Sequence, residues 1–231
     1  MSLLESIQQA FAMLLAGDRE LWQTIFISLR VSLLALLLAT PFAVALGFFL
    51  ATTHFFGRRV FVVVLQSLLS FPTVVVGLIL YLLLTRSGPL GSFNLLFTQD
   101  AMILGQAVVA FPVLAAFTLA AVQSTDQRVR ETAMSLGASR WRAMLTTLRE
   151  VRFPLMAGVF NGFGRVISEV GCAMMVGGNI AGVTRNITTA ITLETGKGDF
   201  AQGIALGAVL MVFAISVNIA LAFVQGKGTP K

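Results

Sequence analysis

Two charged residues inside an apolar segment are the part of this sequence best suited to chemistry. Arg165 and Glu169 are four residues apart, so a helix places them on one face as neighbours. Glu169 is the only acidic residue deep within an apolar run, and an isolated charge at mid-bilayer costs about 2.5–3.5 kcal/mol on insertion scales. We therefore expect the two side chains to face each other, a pore or a neighbouring helix, and not lipid.

Two interpretations of this pair stay open. In the first, the two residues form an internal ion pair that only fixes helix packing. In the second, they belong to a gate, where Arg165 attracts a dianion when Glu169 is engaged elsewhere. The candidate pathway or gate residues are Arg165, Ser168, Glu169 and Gly171.

A second polar cluster lies in the segment from Gly177 to Gln202, which is rich in threonine and is predicted to be an outer loop. Hydroxyls, amides and an arginine donate hydrogen bonds without binding a metal, so they suit a doubly charged oxyanion. Docking of an external protein and simple solvation are the alternatives. The candidate contacts are Asn179, Thr184, Arg185, Thr188 and Thr189.

Catalysis by this chain is not expected. The sequence has no phosphate-binding Gly-x-x-x-x-Gly-Lys-Ser/Thr loop, and no cluster of histidine, cysteine and acids with metal-ligand spacing. It therefore predicts no catalytic residue, no metal site and no bound ATP. The net charge of +6 does not indicate nucleic acid, because the basic residues lie in short segments between apolar runs.

The elements that position these residues are membrane helices. The chain of 231 residues is 57% hydrophobic, only 11% of its residues are charged, and its mean hydropathy is +0.89, which is typical of an all-α, multi-pass membrane protein. Five apolar segments predict five spans: Leu21 to Thr53, Val60 to Leu84, Ala101 to Gln123, Pro154 to Val176 and Gly203 to Val224. Pro41, Pro72 and Pro112 predict bends within the first three.

Charge predicts the direction of the spans. Residues 1–20 are predicted to lie outside the membrane and to include an interfacial amphipathic helix. Most basic residues follow the first and third spans or lie in the tail, 225–231. Positive residues mark the cytoplasm, so the N-terminus is expected outside and the C-terminus inside. The predicted location is the cytoplasmic membrane of a bacterium or archaeon.

A polar hairpin, 124–149, separates the third and fourth spans. Ser124 and Gln127 predict a capping box that begins one helix, Gly137 a left-handed residue that ends it, and Ser139 the start of a second. Trp141, Met144, Leu145 and Leu148 then recur at helical spacing on the second helix. The result is two short amphipathic helices that could hold a partner protein.

Within this hairpin "ETAMSLGAS" resembles the signature loop of permeases in binding-protein-dependent ABC importers. In that family the loop forms a coupling helix that docks into a cleft of the ATP-hydrolysing subunit. Thr132 replaces the first alanine of the pattern, and Thr147 to Glu150 depart from its usual continuation. The residues that the resemblance assigns to coupling are Arg130, Glu131, Thr132, Ala133, Ser135, Leu136, Gly137, Ala138 and Arg140.

A second region resembles the permeases for tetrahedral oxyanions. "ISEVG", "MMVGGNI", "TRNITTAI" and "LETGKGDF" are more similar to the tungstate permeases than to those for molybdate or sulfate. The resemblance implies a type I ABC importer transmembrane fold and tungstate uptake by ATP-driven alternating access, with ATP and Mg²⁺ on a separate ATPase subunit. The partners it implies are a pair of ATPase subunits and an external substrate-binding protein.

A second copy of the chain is also expected, because five spans enclose too little for a pathway. Three alternatives stay open at this point. The importer could carry molybdate or another tetrahedral oxyanion, the chain could be a secondary carrier driven by an ion gradient, or it could be a membrane scaffold that transports nothing.

Overall fold

A computed structural model describes residues 15–225, together with Gln8 and Ala12. The described residues form helices joined by loops, without strands, so the predicted all-α class is confirmed. The helices are α1 (Arg19–Thr52), α2 (Arg58–Leu69), α3 (Thr73–Leu84), α4 (Gln99–Gln123), α5 (Gln127–Ser135), α6 (Arg140–Glu150), α7 (Arg152–Ile167), α8 (Gly171–Gly177), α9 (Ile187–Lys197) and α10 (Phe200–Gln225). The predicted interfacial helix and tail lie almost entirely outside the described residues.

The central contact of the fold is between α1 and α4. Buried alanines line it, among them Ala35, Ala43 and Ala110, and small side chains let two helix backbones approach closely. A Cβ on Gly47 would lie 2.6 Å from the carbonyl oxygen of Ala115, so only glycine fits there. Both helices run unbroken through their prolines, Pro41 and Pro112.

The second predicted span is a bent pair of helices and not one continuous helix. α2 and α3 meet at an angle of 99°, with a break at Ser70, Phe71 and Pro72. Proline cannot donate a helix hydrogen bond, and it disfavours the helical conformation of the residue before it. The bend predicted at Pro72 is therefore a full break, and Pro72 caps the start of α3.

The fourth predicted span, Pro154 to Val176, is also interrupted. α7 ends at Ile167, and the short α8 begins at Gly171 and packs against α3 and α4. In the described chain three helices, α1, α4 and α10, are long and apolar enough to cross a membrane, or four if α2 and α3 count as one broken span. The count of five and the orientation stay predictions.

The segment predicted to be an outer loop, residues 177–202 and called the outer segment below, is neither a loop throughout nor fully solvated. It contains α9, which packs against α10 and α1. Ile187 and Ala190 are buried in a cluster with Leu21, Ile25 and Leu206. The prediction of a loop was wrong because the many threonines of α9 obscured the helical spacing of its apolar residues.

The hairpin forms as two short helices, α5 and α6. Gly137 has φ +84° just after α5, and Ser139 accepts a hydrogen bond from the backbone N–H of Arg142 at 3.4 Å, so both predictions are confirmed. The predicted start at Ser124 was wrong. Ser124 ends α4, and Asp126 caps α5 by accepting from the N–H of Arg128 at 2.9 Å.

Candidate functional site

Glu169 lies in the break between α7 and α8 and holds three helices together. Its Oε2 accepts a hydrogen bond from Arg165 Nη1 at 2.8 Å, and its Oε1 accepts from the backbone N–H of Cys172 at 3.0 Å. Its main-chain oxygen accepts from the hydroxyl of Thr188 on α9 at 2.7 Å. The predicted contact between Arg165 and Glu169 is present, although Glu169 follows the helix end and is not a residue of α7.

The two members of this ion pair have different surroundings. The Glu169 side chain is 2% exposed, whereas the Arg165 side chain is 39% exposed. Arg165 also borders two cavities. One, of about 420 Å³, is lined by apolar residues of α1, α4 and the α2–α3 bend, and the other, of about 370 Å³, lies between α7 and α10. The guanidinium is therefore the member that an ion could approach.

The other two pathway candidates separate in the same way. Ser168 is exposed, lines the cavity between α7 and α10, and donates its hydroxyl to the main-chain oxygen of Gly164 at 2.8 Å. Gly171 is enclosed, because a Cβ there would lie 2.5 Å from Cγ2 of Val74 on α3. Gly171 thus lets α8 approach α3, and Ser168 faces open space.

The threonines of the outer segment are buried and already hydrogen-bonded. Thr184 donates to the main-chain oxygen of Gly177 at 2.5 Å and accepts from the N–H of Ile180 at 3.0 Å. Thr188 bonds to Glu169, and Thr189 forms a capping box with Asn186 at the start of α9. These hydroxyls hold α8, α9 and the loop between them in place, and none of their protons is open to an ion in this conformation.

The remaining outer candidates are partly satisfied. Arg185 Nη1 donates to Glu20 Oε1 at 2.6 Å, and the Arg185 side chain is 14% exposed. Asn179 has a left-handed backbone, φ +53°, and its buried Oδ1 has no hydrogen-bond partner, nor does Arg185 Nε. The five outer candidates are therefore near one another in the chain but are not gathered into one open cluster of donors.

The hairpin presents an exposed surface with apolar residues at its turn. Leu136 is 84% exposed and Trp141 is 64% exposed, so the single chain leaves two large apolar side chains uncovered here. A cavity of about 660 Å³ runs along it, lined by residues of both helices: Arg128, Val129, Thr132, Ala133, Leu136, Gly137, Ala138, Arg142 and Thr146.

Not all of the predicted coupling residues lie on this surface. Arg130 points back to the membrane helices and donates to the main-chain oxygen of Thr52, at the end of α1, at a long 3.4 Å. Glu131 lines a different cavity with Arg130, beside His54 and Arg58. Ser135 donates its hydroxyl to the main-chain oxygen of Glu131 at 2.9 Å, and Arg140 is exposed at the start of α6.

Residues 15–225 contain no group of three or more histidine, cysteine or acidic side chains that could hold a metal ion. Two polar residues at the cavity between α7 and α10, Asn161 and Asn218, were missed by the sequence analysis. A signal was available, since an amide within an apolar span is costly in lipid and usually faces the protein interior or water. Asn161 is also one helical turn before Arg165.

Comparison with known proteins gives a consistent result. Residues 43–227 match the family described as "Binding-protein-dependent transport system inner membrane component". A "Probable anion ABC transporter permease protein" of Haloferax volcanii is 42% identical over 200 residues, 84% of each chain. Proteins named "Tungstate uptake system permease protein TupB" are 37% identical over 221 residues in Peptoclostridium acidaminophilum (96% of this chain, 97% of that one) and 41% identical over 214 residues in Campylobacter jejuni (93% and 90%).

The fold is similar to that of a chain in the crystal structure of a bacterial alginate ABC transporter in complex with an alginate pentasaccharide-bound periplasmic protein. The TM-score is 0.73 at 20% identity, over 96% of this chain and 86% of the other. At this identity the likeness concerns the fold alone.

Proposed function

This chain belongs to the family of binding-protein-dependent transport system inner membrane components, and from that membership we propose that it carries tungstate across the cytoplasmic membrane. It is the permease subunit of an ABC importer for oxyanions, a multi-pass membrane protein. The observation that supports tungstate as the transported ion is the nearly full-length similarity to two tungstate uptake permeases. The identity of the ion and the transport mechanism are the parts that we propose.

The hairpin is proposed as the coupling element. Its exposed Leu136 and Trp141 form the surface that enters the ATPase subunit. Only Val151 separates α6 from α7, and this buried residue packs with Phe48 and Val122 at the ends of α1 and α4. A displacement of the hairpin is therefore transmitted directly to α7, the helix that carries Arg165.

Arg165 and Glu169 are proposed as the gate. Glu169 is fixed by Cys172 and Thr188, whereas Arg165 is attached only through α7. If α7 shifts relative to α8, the 2.8 Å contact opens and the guanidinium N–H groups become available to a dianion. When α7 returns, Glu169 competes for the same N–H groups and favours release of the ion.

The complete transporter requires other subunits. Two copies of this chain enclose the pathway on a twofold axis, and each presents one hairpin to one ATPase subunit, where ATP and Mg²⁺ bind. An external substrate-binding protein delivers tungstate to the outer face. ATP closes the ATPase pair, the hairpins move together and the spans open outward.

The test is reconstitution of the permease with its ATPase and binding protein in proteoliposomes. Tungstate-loaded binding protein is expected to stimulate ATP hydrolysis, and uptake is expected to require ATP and to persist after ion gradients are dissipated. Uptake that stops with the gradient would identify a secondary carrier, and no uptake under any condition would identify a scaffold. Greater stimulation by molybdate-loaded than by tungstate-loaded binding protein would assign the importer to molybdate.

A further inference from the structure

A polar groove lies between α7 and α10. Its volume is about 370 Å³. Two polar side chains on α7, the C-cap residue of α7 and one residue on α10 line it together with apolar residues: Asn161, Arg165, Ser168 and Asn218. Arg165 is the one charged side chain among the described residues of this lining.

The groove-lining residues of α7 and its C-cap, called the polar row below, lie on one side of the helix. Asn161, Gly164, Arg165 and Ser168 follow the spacing i, i+3, i+4 and i+7 of a single helical face. The face that carries Gly162 and Val166 is buried against α4, where a Cβ on Gly162 would lie 3.1 Å from Cδ2 of Leu114. A Cβ on Gly164 would meet nothing within 4 Å, so the row borders open space.

The amides of the two helices lie at a similar depth. Asn161 is nine residues after the start of α7, and Asn218 is seven residues before the end of α10. At 1.5 Å per helical residue these positions are about 13 Å from Arg152 and about 10 Å from Gln225, the last described residue of α10, on the side that the predicted orientation assigns to the cytoplasm. Both amides therefore lie within the hydrocarbon thickness, in its inner half.

Each amide is only partly hydrogen-bonded within its own helix. Asn161 Nδ2 donates to the main-chain oxygen of Ala157, and Asn218 Nδ2 donates to that of Ala214, each at 2.8 Å. Each of these bonds uses one of the two amide N–H groups and leaves the side-chain oxygen open. An unpaired amide in an alkane-like solvent costs several kcal/mol, so this face is not covered by lipid.

The chemistry of the groove suits a tetrahedral dianion. Arg165 has five N–H groups and only one contact with Glu169, and the two amides and the Ser168 hydroxyl add neutral donors. No carboxylate is among the described residues that line the groove. Glu169, which contacts Arg165, is 2% exposed and already accepts from Arg165 and from the backbone of Cys172. Donors outnumber competing anions on the open side.

We propose that this groove is a transient binding site for the oxyanion in the inner half of the membrane, where Asn161 and Asn218 donate to the ion after it passes Arg165. The proposal rests on the proposed function. The open side of the groove is covered by a second copy of the chain, because the polar row cannot face lipid, so the site is complete only in the dimer.

The experiment uses the full complex in proteoliposomes and measures tungstate transported per ATP hydrolysed. Asn161→Leu and Asn218→Leu keep the side-chain size and remove the donors. Each is expected to lower this ratio about tenfold while hydrolysis stimulated by the loaded binding protein persists, because a hydrogen bond to a charged group is lost. Asn218→Ser, which retains a donor, is expected to recover part of the ratio.

Ser216→Ala is the matched control on α10. Ser216 is exposed and bonds to the main-chain oxygen of Val212, outside the groove, so its ratio is expected to equal that of the wild type. An unchanged ratio in both leucine variants overturns the proposal. If uptake and hydrolysis fall together and the melting temperature is lower, Asn218→Ala repeats the measurement without the bulk of a leucine side chain. The same parallel fall in Asn218→Ala would give the amide a structural role and would also overturn the proposal. Failure of the proposed function is distinguishable, because the wild type would then show no ATP-dependent tungstate uptake.

Discussion

The hairpin, residues 124–149, and the outer segment, residues 177–202, are both polar interruptions of an apolar chain, but they use their polar groups in opposite ways. The hairpin leaves most of them in water and even exposes Leu136. No described side chain of α5 is buried, and two of α6 are, Ala143 and Thr147. The outer segment turns them inward, where Thr184 and Thr189 are fully buried and hydrogen-bonded. A threonine-rich stretch can therefore be a binding surface or part of the core.

This difference predicts where substitutions act. In the hairpin, changes of exposed apolar side chains should alter partner binding and coupling without loss of fold stability. In the outer segment, similar changes should destabilise the chain, because buried polar groups left unpaired cost about 1–3 kcal/mol each. Four comparisons test the contrast, in order of decreasing expected effect.

Leu136→Asp should produce the largest effect. A charge placed at the tip of the hairpin must be buried in the ATPase interface, and loss of such an anchor costs about 2 kcal/mol or more, roughly a thirtyfold loss of affinity. The melting temperature should not change, because Leu136 is 84% exposed in the single chain. Affinity is measured with the purified ATPase subunit in detergent micelles.

Val183→Asp is the control from the outer segment, since Val183 is also an exposed apolar residue. It should leave ATPase affinity as in the wild type. Equal losses in both variants would show that the hairpin tip is not the anchor.

Asn186→Ala should lower stability by about 1–3 kcal/mol, because the capping bond and a second buried bond are lost together. The Asn186 oxygen accepts from the N–H of Thr189 at 2.9 Å and from the hydroxyl of Thr188 at 3.0 Å. Thermal unfolding in detergent micelles measures the change.

The hairpin offers the matched cap. Ser139→Ala removes a single exposed bond of 3.4 Å, so its cost should be about 0.5 kcal/mol, at the lower end for N-caps. The contrast between the two regions fails if Ser139→Ala destabilises the protein as much as Asn186→Ala does.

Substitution of one glycine in each region introduces the same backbone strain. Gly137 and Gly198 both have φ +84° and open space where a Cβ would be. A valine at either position should cost about 1–2 kcal/mol of stability through the left-handed backbone alone. Gly137→Val should also reduce tungstate uptake per ATP hydrolysed, because it changes the angle between the two hairpin helices.

Gly198→Val should leave that ratio unchanged in the same proteoliposome assay. Wild-type uptake by Gly137→Val would count strongly against the hairpin as the coupling element. A reduced ratio in Gly198→Val would show that backbone strain alone, wherever it lies, disturbs transport.

Glu20→Gln should have the smallest effect. It breaks the ion pair with Arg185, but Glu20 is 54% exposed, so water replaces the carboxylate and the loss should be about 1 kcal/mol or less. Melting temperatures of variant and wild type should converge at high salt, which screens exposed charges. A loss as large as that of Asn186→Ala would contradict this ranking.

The sequence predicted elements whose signals are local. The apolar runs of α1, α4 and α10, the left-handed Gly137 and the contact between Arg165 and Glu169 all follow from spacing within a few residues. The family resemblance agrees with the match over residues 43–227.

The breaks and the buried polar groups were not predicted, for a physical reason. Hydropathy summed over a span cannot separate one helix from two bent by 99°, although Pro72 marks the point. In the outer segment Ile187, Ala190 and Ile191 have helical spacing and Asn186 precedes them as a cap, so α9 had a local signal that its threonine content obscured. Burial of Thr184 depends on residues distant in sequence and has no local signal.

The close packing around Cys172 has a kinetic consequence. Its sulfur is fully buried where α3, α4 and α8 meet: a Cβ on Gly105 would lie 2.7 Å from the sulfur, and a Cβ on Gly77 would lie 2.8 Å from its Cα. A maleimide can reach this thiol, the only one in the sequence, only when those helices separate. The alkylation rate of the protein without introduced cysteines therefore reports how often these helices separate. Comparing the alkylation rate during turnover with the rate at rest shows whether the helices separate in the transport cycle.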